Sequence, residues 1–392
     1  GQEAGAVGQE DPVELMQPHL SPEDSLRLNV LLAGSVEAIR IDEGALTLHA
    51  LTDRGEARVS LHPNCRPDQY LLRVREMLGG HALGSPGGYP VYLRRWTRMG
   101  QTSGANLAAL LLLGEPEAVV AVAHAPGLTD DLARRVWWTQ PTMEIARCML
   151  ARAEVAQGPM GRVLADFLVE HMPFEESADA NLETIRLVLG AGLADAATRA
   201  MLWSKGQRQP HYYIGFLEHR ADDLPQDAPA RDEHATPALQ ALAAEGNPFA
   251  ILLSRCLSAS GQTFLKAAGE ALAKPATHRI VYDLFDVIGA YFEPVRPRHA
   301  AAKDVDAMAA AAESSGRLDE AQRGHADALL AALPQFAPEL RAMLFLSLLT
   351  QDAADPVLTR TTAVGPLMRR KLEPVIAPIA AHIEILRGAG HA

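Results

Sequence analysis

Arg94, Trp96 and Arg98 form the pattern in this sequence with the most evident chemistry. If Tyr89–Trp96 is extended, these three side chains share one face, because successive residues of a strand point to opposite sides. A guanidinium forks onto an oxyanion and also stacks on an aromatic ring. Arg66, Arg73, Arg75 and Arg95 lie close by in sequence, with only Asp68 and Glu76 as acids between Arg66 and Arg98. Arg94, Trp96, Arg98 and Arg73 are therefore the candidate anion-binding set, suited to a phosphate, a sulfate or a stacked base. The plainer reading stands beside it: a solvated strand face whose arginines pair with acids elsewhere.

The run Gly79-Gly80-His81-Ala82-Leu83-Gly84-Ser85-Pro86-Gly87-Gly88 invites a phosphate-loop reading. Such a loop must lead into a helix N-terminus, usually with a lysine beside it. This one follows a helical pattern and leads into Tyr89-Pro90-Val91-Tyr92-Leu93, so it reads as a helix-to-strand connection. The fourteen histidines form no HExxH or HxH spacing, and the three cysteines form no CxxC. His171 falls at an apolar helix position and reads as a boundary histidine, and His211 and His219 as structural. Cys148 and Cys256 sit in apolar stretches where a thiol is usually inert, while Cys65, beside Arg66, is the one placed for a lowered thiolate pKa. No Gly-x-Ser-x-Gly elbow occurs. No catalytic residue, metal site or cofactor is expected.

The elements that must position these residues change character along the chain. Residues 1–20 are rich in Gly, Gln and Glu and read as a disordered tail. Ser21-Pro22-Glu23-Asp24 supplies an N-cap, a first-turn proline and acids for a helix running to Gly34. Strands are expected at Val36–Ile41, Leu46–Leu51 and Ala57–Leu61, separated by Asp42-Glu43-Gly44 and Asp53-Arg54-Gly55 turns. A second helix opens at Pro67-Asp68 and stops at Gly79-Gly80, and Tyr89–Trp96 makes a fourth strand. The order α-β-β-β-α-β over 21–103 is a small α+β domain.

From Gly104 the pattern is helical. Gly127-Leu128, Asp130, Arg134 and Trp138 match Gly192-Leu193, Asp195, Arg199 and Trp203 at an offset of 65 residues. In each copy an acid precedes an arginine by four positions, the favourable order for a helical ion pair. Leu128, Leu132 and Val136 form an apolar stripe matched by Leu193, Ala197 and Met201, and the tryptophans read as repeat-core residues. Two helix pairs per repeat predict a HEAT-like solenoid over 104–220. Residues 221–237, acidic and interrupted by Pro225, Pro229 and Pro237, read as a linker. A C-terminal helical region fills 238–392, with its clearest apolar face at Ile280, Val281, Leu284, Phe285, Ile288 and Phe292. Pro374 and Pro378 are expected to break the final segment, leaving a short helix near Ile379–Leu386. The fold class is thus mainly α with a small N-terminal α+β domain.

Composition sets outer bounds. Of the 392 residues, 48% are hydrophobic but only 5% aromatic, so the cores rest on Leu, Val, Ile and Ala, a mixture suited to helices. A net charge of -12 argues against a broad grip on nucleic acid or an anionic membrane. Three widely spaced cysteines, no secretion-signal pattern in the first twenty residues and no long apolar run point to a cytoplasmic protein.

Three stretches carry a family resemblance. They are Ala125-Pro126-Gly127-Leu128-Thr129-Asp130-Asp131-Leu132-Ala133-Arg134-Arg135-Val136-Trp137-Trp138, then Gln157-Gly158-Pro159-Met160-Gly161-Arg162-Val163-Leu164-Ala165-Asp166-Phe167-Leu168-Val169-Glu170, then Tyr212-Tyr213-Ile214-Gly215-Phe216-Leu217 with Asp222-Asp223-Leu224-Pro225. Together they resemble the DsrS family, called sulfur reduction protein DsrS, over residues 25–225. The resemblance implies a cytoplasmic accessory or regulatory protein encoded with the reverse dissimilatory sulfite reductase system of sulfur-oxidising bacteria, and it carries no catalytic residues. The expectation is a non-catalytic protein that binds a protein partner, a pathway component or regulator, through a helical-repeat surface. The alternative is a sensor or enzyme for a small oxyanion or nucleotide working through the arginine-rich domain.

Overall fold

A computed structural model describes residues 19–84, 104–225, 228–298, 303–313 and 317–388. It is mainly helical, with one small antiparallel sheet near the N-terminus. The chain divides into two compact units at Leu164/Ala165.

In the first unit α1 (Pro22–Leu32) precedes β1 (Val36–Asp42), β2 (Thr47–Thr52) and β3 (Gly55–Ser60), followed by α2 (Pro67–Leu83). The strands form a meander in the order β1-β2-β3, within a residue or two of the expected bounds. Leu28 and Leu32 of α1, Tyr70, Leu71, Val74 and Leu78 of α2, and Ile39, Leu48 and Ala50 of the sheet close one core. This is the period-2 and period-3.6 apolar patterning meeting across one interface.

Two details differ from the expectation. Helix α2 runs through Gly79-Gly80 and ends at Gly84, which takes a left-handed conformation (φ 62°). A mid-helix glycine costs only about 1 kcal/mol, whereas a left-handed C-cap strongly favours one. The expected fourth strand at Tyr89–Trp96 lies outside the described residues.

Five helices follow: α3 (Gly104–Leu110), α4 (Pro116–His124), α5 (Asp130–Thr139), α6 (Met143–Leu150) and α7 (Ala153–Gln157), then α8 (Pro159–His171), within which the unit boundary falls. Thr129 and Thr142 cap α5 and α6 through side-chain oxygens that accept from Leu132 N and Ile145 N, each at 3.3 Å. Asp130 Oδ1 accepts from Met160 N at 3.0 Å in the first turn of α8. A Cβ at Gly158 would stand 2.2 Å from that oxygen, so only glycine admits this approach.

The second unit holds α9 (Ala178–Gly190), α10 (Ala196–Gly206), α11 (His211–His219), α12 (Pro237–Ala244), α13 (Pro248–Leu257), α14 (Ala259–Ala273), α15 (His278–Phe292), α16 (Val305–Glu313), α17 (Glu320–Ala332), α18 (Ala337–Ser347), the single turn α19 (Asp355–Leu358) and α20 (Gly365–Leu386). The predicted face of α15 is buried throughout.

The stretch read as a linker is tied into this unit. The Arg231 side chain is only 8% exposed and donates to Glu339 (3.1 Å), to Glu233 (2.8 Å) and to the Leu386 carbonyl (3.2 Å) at the end of α20. Nor do Pro374 and Pro378 break α20, which is continuous over 22 residues. Each proline removes one backbone hydrogen bond, but Met368, Leu372, Val375, Ile379, Ile383 and Leu386 are buried on the same helix. Burial of roughly 1.5–3 kcal/mol per side chain outweighs about 3 kcal/mol per proline.

Candidate functional site

Among the described residues, an open groove lies on the first unit between α1 and β3. Leu61 N donates to Leu46 O at 2.8 Å, which sets the alternation of the β2–β3 ladder. Residues 57 and 59 therefore turn their backbone groups to β2, and Glu56, Arg58 and Ser60 turn theirs outward. Those outward groups have no hydrogen-bonded partner among the described residues. The other edge differs: Ile39 N of β1 donates to Leu111 O at 2.8 Å.

Beside the open edge runs a groove of about 570 Å³. Its helical wall is Leu26, Arg27, Val30 and Leu31, and its strand wall is Arg58, Val59 and Ser60. Leu26 and Val30 are 66% and 67% exposed, unusual for large aliphatic side chains on one helix face. Arg27 pairs with Glu23 at 2.5 Å, both exposed, a contact worth little in water. Arg58 has no ion-pair partner among the described residues.

A buried network fixes α1 at that position. Ser21 caps α1, its hydroxyl accepting from Asp24 N at 3.2 Å. Asp24 is fully buried and accepts from the Tyr70 hydroxyl and from His62 N, both at 2.6 Å, and faces His62 Nδ1 at 3.1 Å. Burial pushes the Asp24 carboxyl up, but the His62 amide, the Tyr70 hydroxyl and the His62 ring outweigh it and hold the acid below its ordinary range. Burial and the neighbouring Asp24 raise the Tyr70 phenol. One carboxylate thus joins α1, the residues after β3, and α2.

The outer face of the sheet carries a second cluster. Glu56 meets His49 Nδ1 at 2.9 Å, Arg40 at 3.1 Å and Trp138 Nε1 at 3.4 Å, and Arg40 lies 4.8 Å over the Trp138 ring. Slight burial raises the Glu56 carboxyl, and the hydrogen bonds from His49, Arg40 and Trp138 bring it below its ordinary range.

The residues singled out from the sequence are placed as follows. Arg94, Trp96 and Arg98 lie outside the described residues. Arg73 pairs with Glu76 at 2.7 Å on α2. Arg134 bonds Asp131, three residues back, at 2.9 Å and Glu37 at 2.7 Å, while Asp130 is engaged at α8. Arg199 donates to Ala194 O at 3.0 Å, and Asp195 caps α10 by accepting from Thr198 N at 2.7 Å.

The two copies of the 65-residue match are therefore one position out of step: Asp130 is the first residue of α5, whereas Asp195 precedes the first residue of α10. One residue turns a helix by about 100°. Leu128, Leu132 and Val136 are accordingly buried, but Ala197 and Met201 are exposed and Leu193 half-buried. Trp203 is buried against Tyr213 (4.6 Å) and Phe216 (5.2 Å), while Trp138 is half-buried on the sheet rather than in a repeat core.

Among the described residues no group of three His, Cys, Asp or Glu could hold a metal ion, and no helix is long and apolar enough to cross a membrane. His171 stacks on Phe167 (4.0 Å), with Nδ1 2.9 Å from the Phe167 carbonyl. Cys148 Sγ lies 3.3 Å from Ala123 O, and Cys65 is half-buried. Burial pushes the Cys256 thiol up to about 12. Nothing in the sequence patterns pointed to the α1–β3 edge; its only signal is Leu26 and Val30, four apart on the first helix. Family models, curated proteins and solved structures contain no match to this chain.

Proposed function

We propose that this is a cytoplasmic, non-catalytic accessory protein of dissimilatory sulfur oxidation, as the DsrS resemblance implies, and that it works by docking an extended segment of a protein partner against β3 and α1. The observation that carries the docking reading is the open β3 edge beside the exposed Leu26–Val30 ledge. Strand addition supplies backbone hydrogen bonds at Glu56, Arg58 and Ser60, and alternate side chains of the incoming strand meet the two faces. On the Val59 side the groove is apolar; on the opposite side the unpaired Arg58 faces the visitor. The complementary segment therefore alternates apolar and acidic residues.

The test is capture from sulfur-grown cells with the wild-type chain and two surface variants. Arg58→Pro removes one outward N–H without touching the ladder to β2, a position where an edge strand tolerates proline. Leu26→Glu/Val30→Glu makes the ledge anionic. The expected result is a partner retained by the wild type and reduced about tenfold or more by each variant, the value of one or two lost backbone or apolar contacts. Equal recovery by all three chains refutes the docking site. A wild-type dimer that both variants convert to monomer, read by light scattering, assigns the edge to a second copy of this chain instead.

A further inference from the structure

The chain enters the first unit beside the C-terminal end of β3. Asn64 Nδ2 donates to His19 O at 3.0 Å, a contact between residues 45 apart in sequence. Ser21 N donates to the Tyr70 hydroxyl at 3.2 Å, and Leu20 packs on the core. Asp24 holds the first turn of α1 to His62, just past β3, while Asp53 N donates to Ser35 O (3.4 Å) at the other end of the helix. Helix α1 therefore runs antiparallel to β3. A segment that reaches His19 by following the β3 edge must run parallel to β3.

Residues 11–16, outside the described residues, read Asp-Pro-Val-Glu-Leu-Met. Two parallel strands rise together at about 3.3 Å per residue, so the offset set near His19 carries back along β3. The Asn64 contact fixes that offset to within about a residue, and parity selects the value. Setting Val13 beside Ala57 and Leu15 beside Val59 puts both apolar side chains on the face of Leu26 and Val30, the ledge that is 66% and 67% exposed. The same register points the nitrogens of Pro12 and Pro18 away from β3, where a proline costs the ladder nothing. It brings Glu14 to the outer face beside Arg58, which has no ion-pair partner among the described residues. The backbone groups of Val13 and Leu15 then meet those of Glu56, Arg58 and Ser60 that β2 leaves free. A shift of one residue loses all of these matches at once.

We infer that residues 11–16 add to β3 as a parallel fourth strand and cover the groove until a partner displaces them. Being part of the same chain, they act at an effective concentration of about a millimolar, enough for a short strand to compete. The displacement rests on the docking reading; the strand does not.

Hydrogen exchange with residue-level fragmentation, on the full chain without partner, tests the strand. In the parallel register the Arg58 and Ser60 amides donate to Val13 O and Leu15 O. Both amides should be protected in the wild type and exchange about tenfold faster in Val13→Asp/Leu15→Asp, the value of the lost apolar contacts. Ala4→Asp/Val7→Asp adds the same charge outside the paired stretch and should leave the protection unchanged. The Ile39 amide, bonded to Leu111 O, reports that each variant is folded. Exchange of Arg58 and Ser60 at the solvent rate in the wild type, or equal loss in both variants, overturns the strand. Protection that grows with protein concentration also overturns it, because a second copy then supplies the cover. Partner capture tests the displacement separately. Val13→Asp/Leu15→Asp should retain about tenfold more partner than the wild type, and equal retention overturns the competition. Capture that ignores Leu26→Glu/Val30→Glu counts against the docking reading alone, since the exchange result does not depend on a partner.

Discussion

Removing the Asp24 carboxylate should loosen the surface on which docking depends, and the size of the effect follows from its contacts. Asp24 is fully buried and accepts two hydrogen bonds at 2.6 Å, from His62 N and the Tyr70 hydroxyl. A hydrogen bond to a charged group contributes about 1.5–3 kcal/mol, and a buried donor left without its acceptor costs roughly 1–3 kcal/mol. In Asp24→Ala the Tyr70 hydroxyl still has Ser21 Oγ at 3.1 Å, but the His62 amide loses its acceptor. The expected loss is about 3–4 kcal/mol, and about 1–2 kcal/mol for Asp24→Asn, which keeps one acceptor. Hydrogen-exchange mass spectrometry reads this locally: protection of the His62 amide should fall on the order of a hundredfold in Asp24→Ala.

The pH dependence has a definite sign. The folded Asp24 pKa lies below the unfolded one, so its stabilisation is present above the unfolded value near 4 and is lost as pH falls through the folded value. Asp24→Asn should flatten that slope. Variants within about 1 kcal/mol of the wild type at neutral pH, with an unchanged slope, would refute the claim that this carboxylate anchors α1.

Two further outcomes concern the second unit. Arg231→Met removes the guanidinium that fully buried Glu339 shares with Glu233 and the Leu386 carbonyl, and should destabilise by about 3–5 kcal/mol in urea unfolding, whereas Arg231→Met/Glu339→Leu should recover part of that loss; a double variant no better than the single one contradicts the pairing. Burial lowers the His211 pKa to about 4, against a smaller opposing pull from Asp179, so the folded state favours the neutral ring. Stability should fall as pH drops from about 6.5 towards 4, where the unfolded chain takes up a proton that the folded one refuses. His211→Gln should remove that slope, and an unchanged slope sinks the assignment.

The sequence by itself determined the local structure. Ser21-Pro22-Glu23-Asp24 announces a helix start, and the alternation of Ala57, Val59 and Leu61 announces a strand, because capping and periodicity are properties of neighbouring residues. The apolar face of α15 was legible for the same reason. Only the tertiary structure decided which faces are buried and which edges stay open. Asp24 reads as an ordinary first-turn acid until His62 and Tyr70 converge on it. Arg231 reads as a linker residue until Glu339 and the end of α20 enclose it. Pro374 and Pro378 read as helix breakers until burial along α20 outweighs them. The repeated Asp-Arg-Trp spacing failed as a guide because a one-residue shift of the helix start turns the buried face away. Leu26 and Val30 look like core in one dimension. They are exposed because α2 and the sheet occupy the other side of α1, and that competition for contact is settled only when the chain is folded.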